Sequence, residues 1–435
     1  MKVKVIGAGL AGCEAAYCLA NWGFEVTLCE MKPQKYSPAH KSSNFAELVC
    51  SNSLKAARFN SAAGLLKWEM EYLGSITVAA AKKCAVPAGG ALAVERNEFS
   101  KIITEEILNN KNITVEYGEV TKINPDEYTI IATGPLTEGG LADSIKELCG
   151  DDYLNFYDAA APIVTADSID MNCAFFASRY DKGEGDDYIN CPLNKQEYEE
   201  FHRELINAER ALLHASDDVA KVYEGCMPIE ILASRGTDAI RFGPMKPVGL
   251  RDPRTGHRPW AVLQLRKENR EGTMFNLVGF QTNLKFPEQK RVFSLIPALK
   301  NAEYVRYGVM HRNSFINSPK VLNKDFSLRK YPKVFIAGQL SGVEGYMESA
   351  ASGIAAALHL KNIVLGNEPI DFPRFTMIGA LSGYISDEYI KKFEPIGANF
   401  GVLPALPTTI RDKQERYLKL AERSAEWFKE NMGRN

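Results

Sequence analysis

The stretch that most constrains the fold is "KVKVIGAGLAGCEAAYCLANWGFEVTLCEMKP", residues 2–33. An apolar strand from Val3 to Ile6 runs into glycines at 7, 9 and 12, an alanine-rich helix follows, and a second strand ends at Glu30. Each part has its own task. The first glycine allows the tight turn, the second lets backbone approach a pyrophosphate at the helix N-terminus, and the third permits close helix–strand packing; the terminal acid can accept from a ribose hydroxyl. Three glycines alone would be weak evidence, since a glycine-rich turn occurs in other α/β folds. With strand, helix, second strand and acid all in place, Gly7, Ala8, Gly9, Leu10, Ala11, Gly12 and Glu30 are expected to form a dinucleotide site.

Two later segments decide which dinucleotide. "YTIIATGP" (Tyr128–Pro135) reads as a buried strand ending at Thr133 and Gly134. Much further on, "KVFIAGQLSGVEGYMESAASGIAAALHL" reads as a strand ending at Gly338, a glycine-rich loop, and a helix from about Met347. Together with the early fingerprint these segments resemble FAD-dependent oxidoreductases of the glutathione-reductase type, which implies FAD. The expected fold class is α/β: a Rossmann-like FAD-binding domain with an inserted α+β domain. Residues 1–165 and 326–435 would make the FAD-binding domain, with an amphipathic helix at its end. Residues 166–325, richer in charge and carrying strands such as "WAVLQLRKE" and "MFNLVGFQT", would be the inserted substrate-binding domain that covers the cofactor. No second G-x-G-x-x-G follows a strand, so no separate nicotinamide domain is expected.

Composition excludes several classes. Fifty-two basic and 54 acidic residues give a net charge of -2, so any nucleic acid must be held by a local patch. The nine cysteines contain no C-x-x-C pair, which removes the common zinc spacings and a dithiol redox motif, and no metal site is expected. The chain enters a strand at Lys2 without an apolar leader, and no run reaches the ~20 apolar residues of a membrane span. A cytoplasmic protein with reduced thiols is expected.

Two thiols stand apart. Cys50 lies in "FAELVCSNSLK" and Cys226 in "YEGCMPIE", whereas Cys13, Cys18 and Cys29 fall inside the fingerprint elements and read as core fillers. On cysteine chemistry alone either could be a buried hydrophobe.

Those two motifs, with "VIGAGLAGCEAA", "HRNSFINSP" and "AGQLSGVEGYMESAASG", resemble the folate- and FAD-dependent tRNA (uracil-5-)-methyltransferases, a flavoprotein family related to GidA-type tRNA-modification proteins. The matches run from the first residues to beyond residue 350. The resemblance implies that methylenetetrahydrofolate supplies a one-carbon unit, that FAD carries it, and that NAD(P)H is the reductant. The acceptor would be the T-loop uridine, position 54, of tRNA. It implies Cys226 as the nucleophile at uracil C6 and Cys50 as the second essential thiol, the two roles being exchangeable. It places His311, Arg312 and Asn313 by the folate, although a lone histidine is more often structural. Basic residues around the site, Lys32, Lys35, Lys41, Lys55, Arg58, Lys285, Lys290 and Arg291, are candidates for phosphate contacts. The alternatives are the same chemistry on ribosomal RNA, a GidA-like tRNA-modifying flavoprotein acting within a complex, and a flavin oxidoreductase on a small substrate. No obligatory protein partner is expected.

Overall fold

The structure, a computed structural model, describes residues 1–150, 153–181, 187–211 and 227–433; at 153–158, 181, 311 and 312 only the backbone is described. Its centre is a five-stranded parallel sheet of β1 (Lys2–Ile6), β2 (Glu25–Glu30), β6 (Ile113–Tyr117), β7 (Thr129–Ile131) and β16 (Val334–Ile336), in the order β16-β7-β1-β2-β6. Strands from both ends of the chain therefore lie side by side, with Val334 to Ile336 registered on Thr129 to Ile131. Parallel neighbours need crossovers, and the helix Leu10–Asn21 supplies the one from β1 to β2. The late helix Tyr346–Leu365 packs on it so closely that a Cβ at Gly353 would come within 2.2 Å of the Ala11 carbonyl oxygen.

A second, antiparallel sheet has the order β10-β11-β12-β13-β9-β14, from β9 (Ile163–Thr165), β10 (Phe175–Phe176), β11 (Tyr188–Leu193), β12 (Ala261–Lys267), β13 (Met274–Leu277) and β14 (Tyr304–Arg306). Alternate residues of β12 face opposite sides. Leu263 and Leu265 enter a hydrophobic core with Phe201, Phe280 and Phe293, while Gln264 and Arg266 take the other face. A two-stranded ribbon of β8 (Tyr153–Ala159) and β15 (Met310–Ile316) runs antiparallel, and a small sheet joins β3 (Ser53–Ala56), β4 (Ala85–Val86) and β5 (Ala91–Val94).

The C-terminal helix Lys413–Asn431 is a packing element: Phe428 is fully buried and meets Trp68, Tyr72 and Phe372 edge-on or tilted. Among the described residues no helix is long and apolar enough to cross a membrane, and no group of three or more His, Cys, Asp or Glu could hold a metal ion.

Candidate active site

The ends of β1, β2, β7 and β16 open into one cleft of about 1280 Å³, bordering solvent included. Gly7 to Ala11, Glu30, Thr133, Gly134 and Gly338 all line it, so the two halves of the sequence signature meet in one space. The three fingerprint glycines fit a bound dinucleotide in different ways. A Cβ at Gly7 would lie 2.7 Å from the Ala132 carbonyl oxygen, and one at Gly12 would lie 1.8 Å from that of Gly7. Gly9 meets only that Ala132 oxygen, at 3.9 Å, so a side chain there would project into the cleft, where a pyrophosphate would approach the helix N-terminus. Glu30 accepts the backbone N–H of Ala8 at 2.8 Å on one oxygen and that of Lys32 at 2.9 Å on the other. Each oxygen keeps a second lone pair for a ribose hydroxyl.

Cys50 stands beside this cleft, on the loop between β2 and β3, next to Val49, which lines it. Its thiol is half-buried and lies 2.9 Å from the hydroxyl of Tyr346, a cleft residue in the first turn of the late helix. That hydroxyl also accepts the backbone N–H groups of Cys50 (2.8 Å) and Ser51 (3.4 Å). Its single proton is then left for the sulfur, so Tyr346 donates to Cys50 Sγ. Burial, and after it the neighbouring Cys50, hold the phenol well above its ordinary pKa, which keeps that proton in place.

Three arginines shape the same loop. Arg306 donates to the carbonyls of Val49 (2.8 Å) and Cys50 (3.2 Å), Arg266 to Ser51 Oγ and Asn52 Oδ1 (both 2.9 Å), and Arg96 to the carbonyl of Leu48. One carboxylate, Glu268, answers them through a forked pair with Arg96 at 2.9 Å. Burial, and after it Arg96, lower the pKa of Arg306, and burial with a smaller effect of Arg96 lowers that of Arg266; burial also opposes the charge on Arg96, but Glu268 with Tyr346 and Cys50 outweighs it and the value is raised. Cationic surroundings of this kind favour the nucleophilic thiolate of a cysteine. The fingerprint thiols have the opposite setting: Cys13, Cys18 and Cys29 are buried and burial pushes each of them up.

Cys226, the other candidate thiol, lies outside the described residues. His311, Arg312 and Asn313 fall on β15, where Asn313 is buried. The next residue donates its N–H to the Pro135 carbonyl at 2.7 Å, and Pro135 lines the cleft. The segment 306–314 thus passes from the Cys50 loop to the Gly134 turn.

Of the eight phosphate candidates, five have acidic partners among the described residues. Lys32 is buried, donating to the carbonyls of Ser42 and Asn44 and pairing with Glu47. Lys35 pairs with Glu119, Lys55 with Glu348, Lys285 with Glu209, and Arg291 with Glu204 and Glu288. Sequence reasoning also missed Tyr346, Arg96, Arg266 and Arg306. The tyrosine could have been singled out at the start of the late helix, directly after "SGVEG", but arginines scattered over 210 positions carry no local signal.

Residues 2–368 match the family described as Glucose inhibited division protein A. The chain is 56% identical over 428 residues to the methylenetetrahydrofolate-tRNA-(uracil-5-)-methyltransferase TrmFO of Acetivibrio thermocellus, covering 98% of both chains. It is 55% identical over 428 residues to that of Listeria innocua, again 98% of both, and 52% over 432 residues to that of Lactobacillus gasseri, covering 99% of this chain and 98% of the relative. Among solved structures, Aquifex aeolicus GidA in its form I crystal superposes with a TM-score of 0.69 at 17% identity, over 98% of this chain and 75% of GidA.

Proposed function

Since the chain belongs to the Glucose inhibited division protein A family and, within it, to the TrmFO methyltransferases, we propose that it methylates C5 of the T-loop uridine of tRNA. It is a methylenetetrahydrofolate-tRNA-(uracil-5-)-methyltransferase. In balance, methylenetetrahydrofolate, uridine, NAD(P)H and a proton give 5-methyluridine, tetrahydrofolate and NAD(P)+. The cleft from Glu30 to Gly338 is the FAD site in this reading, in a glutathione-reductase-type domain made of 1–165 and 326–435 with 166–325 inserted. When bound there, FAD supplies the hydride relay and the one-carbon carrier that uracil itself lacks.

The residues of this chain do the rest. Gly9 leaves space for the pyrophosphate and Glu30 takes the ribose; Thr133, Gly134 and Gly338 border the remainder of the cofactor. C5 of uracil is a poor nucleophile until a thiolate adds at C6, which makes C5 enolate-like. Cys226 adds there. After C5 has taken the one-carbon unit, a base must remove the C5 proton so that the thiol can leave. Cys50 takes that second task in this reading: its thiolate accepts the C5 proton, and the support is the phenol of Tyr346 at 2.9 Å, whose hydrogen bond stabilises the thiolate, and the arginines that fix its loop. His311, Arg312 and Asn313 hold the folate in this reading, as the resemblance implies.

The observation that carries this reading is a half-buried thiol beside a dinucleotide cleft, hydrogen-bonded to one phenol and seated on a loop that three guanidinium groups hold. The test is conversion of an unmodified tRNA transcript to 5-methyluridine by the purified protein with NADPH and methylenetetrahydrofolate, with Cys226→Ala alongside. Product from the wild type alone supports the assignment. Absence of product on tRNA but formation on ribosomal RNA would move the acceptor.

A further inference from the structure

The described structure carries a basic and aromatic surface that the phosphate candidates left out. Residues 235–258, "RGTDAIRFGPMKPVGLRDPRTGHR", hold six basic and two acidic side chains, a local charge of +4 in a chain of -2. Lys246, Arg251 and Arg258 are exposed and, among the described residues, have no acidic partner. Two large rings stand out beside them: Phe242 is 73% exposed and Tyr180 58%. Tyr180 is built into position. Its φ of +58° is unusual for a bulky residue, its N–H donates to the Gly249 carbonyl at 3.1 Å, and its ring fills the space that a Cβ at Gly249 would need, with ring carbons 3.0 Å away.

This surface is wired to the Cys50 loop through one face of β12. Arg179 donates to the Val248 carbonyl and to Gln264 Oε1, both at 2.8 Å. Arg266, two residues along the same face and so about 7 Å further on, reaches Ser51 and Asn52 beside the thiol.

We propose that the segment 241–258, with Tyr180, is the docking surface for the RNA substrate. Lys246, Arg251 and Arg258 would neutralise backbone phosphates, and Tyr180 and Phe242 would receive bases that leave their stack on the way to the thiol. Cations follow a phosphate backbone irrespective of sequence, and an exposed ring stacks on any base, so the pairing suits a folded RNA in which one nucleotide is extruded. The proposal rests on the methyltransferase reading for the identity of the RNA.

The test is tRNA binding by fluorescence anisotropy between 50 and 300 mM KCl, with methylation kinetics in parallel. For Lys246→Glu/Arg251→Glu/Arg258→Glu we expect affinity at 100 mM KCl to fall by ~30-fold or more, and the salt slope to shrink by about 2–3, close to one unit per lost phosphate contact. KM for tRNA should rise while NADPH-dependent reduction of the bound flavin is unchanged. Lys101→Glu/Lys111→Glu/Lys122→Glu, the same change of charge elsewhere, should bind as the wild type does. Tyr180→Phe should keep affinity and Tyr180→Ser lose it, which separates stacking from charge. The alanine triple variant covers the case in which reversal unfolds the segment. Unchanged affinity and slope in both triple variants, with a wild type that binds tRNA, would overturn the proposal. A change of oligomeric state in place of RNA affinity would also overturn it, by assigning the face to a protein. A wild type that neither binds nor methylates tRNA would instead overturn the functional reading.

Discussion

At the scale of single residues, the site turns on proton placement. Tyr346 and Cys50 make one unit, since the phenol accepts two backbone N–H groups of the thiol loop and directs its own O–H at the sulfur. Tyr346→Phe should preserve the fold and the cofactor but lower kcat for methylation by roughly 10- to 100-fold, a typical loss for a group that places a proton. Single-turnover methylation should show the defect, and KM for tRNA should stay near the wild-type value. Cys50→Ala and Cys226→Ala should each abolish methylation, and retention of a covalent enzyme-RNA adduct in only one of them identifies the C6 nucleophile. The candidacy of Cys50 was legible from a lone cysteine among small polar residues. Its phenol and guanidinium partners were not, because each comes from a different part of the chain.

At the scale of elements, glycines and buried acids set the termini of helices. Gly9→Val should leave the fold intact and lose the dinucleotide, since its side chain enters the cleft. Gly12→Ala puts a carbon 1.8 Å from the Gly7 carbonyl oxygen, backbone that cannot move aside, and should cost roughly 2–3 kcal/mol of stability. Flavin content and urea unfolding distinguish the two. Glu69 caps a helix from outside it, accepting the N–H groups of Met377 and Ile378 at the start of Met377–Ile385 and the hydroxyl of Ser424. Burial outweighs those three hydrogen bonds and raises its pKa from 4.5 to about 7. The folded chain therefore keeps a proton that the unfolded chain releases between these values. Stability from this group is present at low pH and lost as pH rises towards 7, by about 3 kcal/mol. Glu69→Gln should flatten the pH dependence of urea unfolding between pH 5 and 7.5 by that order. The helices and strands of the fingerprint were readable from period and glycine spacing; the role of Glu69 was not, because its partners lie 308 and 355 positions away.

At the scale of the whole molecule, the two sheets are tied together at the thiol. Arg96 starts the helix Arg96–Leu108 beside the parallel sheet, and Glu268 follows β12 of the antiparallel one. Their forked pair is almost buried, with Glu268 3% exposed. Arg96→Met would strand that carboxylate and should cost about 3–5 kcal/mol in urea unfolding; Arg96→Met/Glu268→Leu should recover most of the stability but not the activity. By itself the sequence determined the nucleotide-binding frame, its glycines and acid, because spacing along one strand-turn-helix is local and its physics is fixed by backbone geometry. Only the tertiary structure decided which charges are available. It buried Lys32 against the carbonyls of Ser42 and Asn44, paired Lys55 and Arg291 with acids, and gathered Arg96, Arg266 and Arg306 on one loop. Whether a charge is exposed, paired or aimed at a thiol depends on what faces it across the fold, and sequence distance does not encode that.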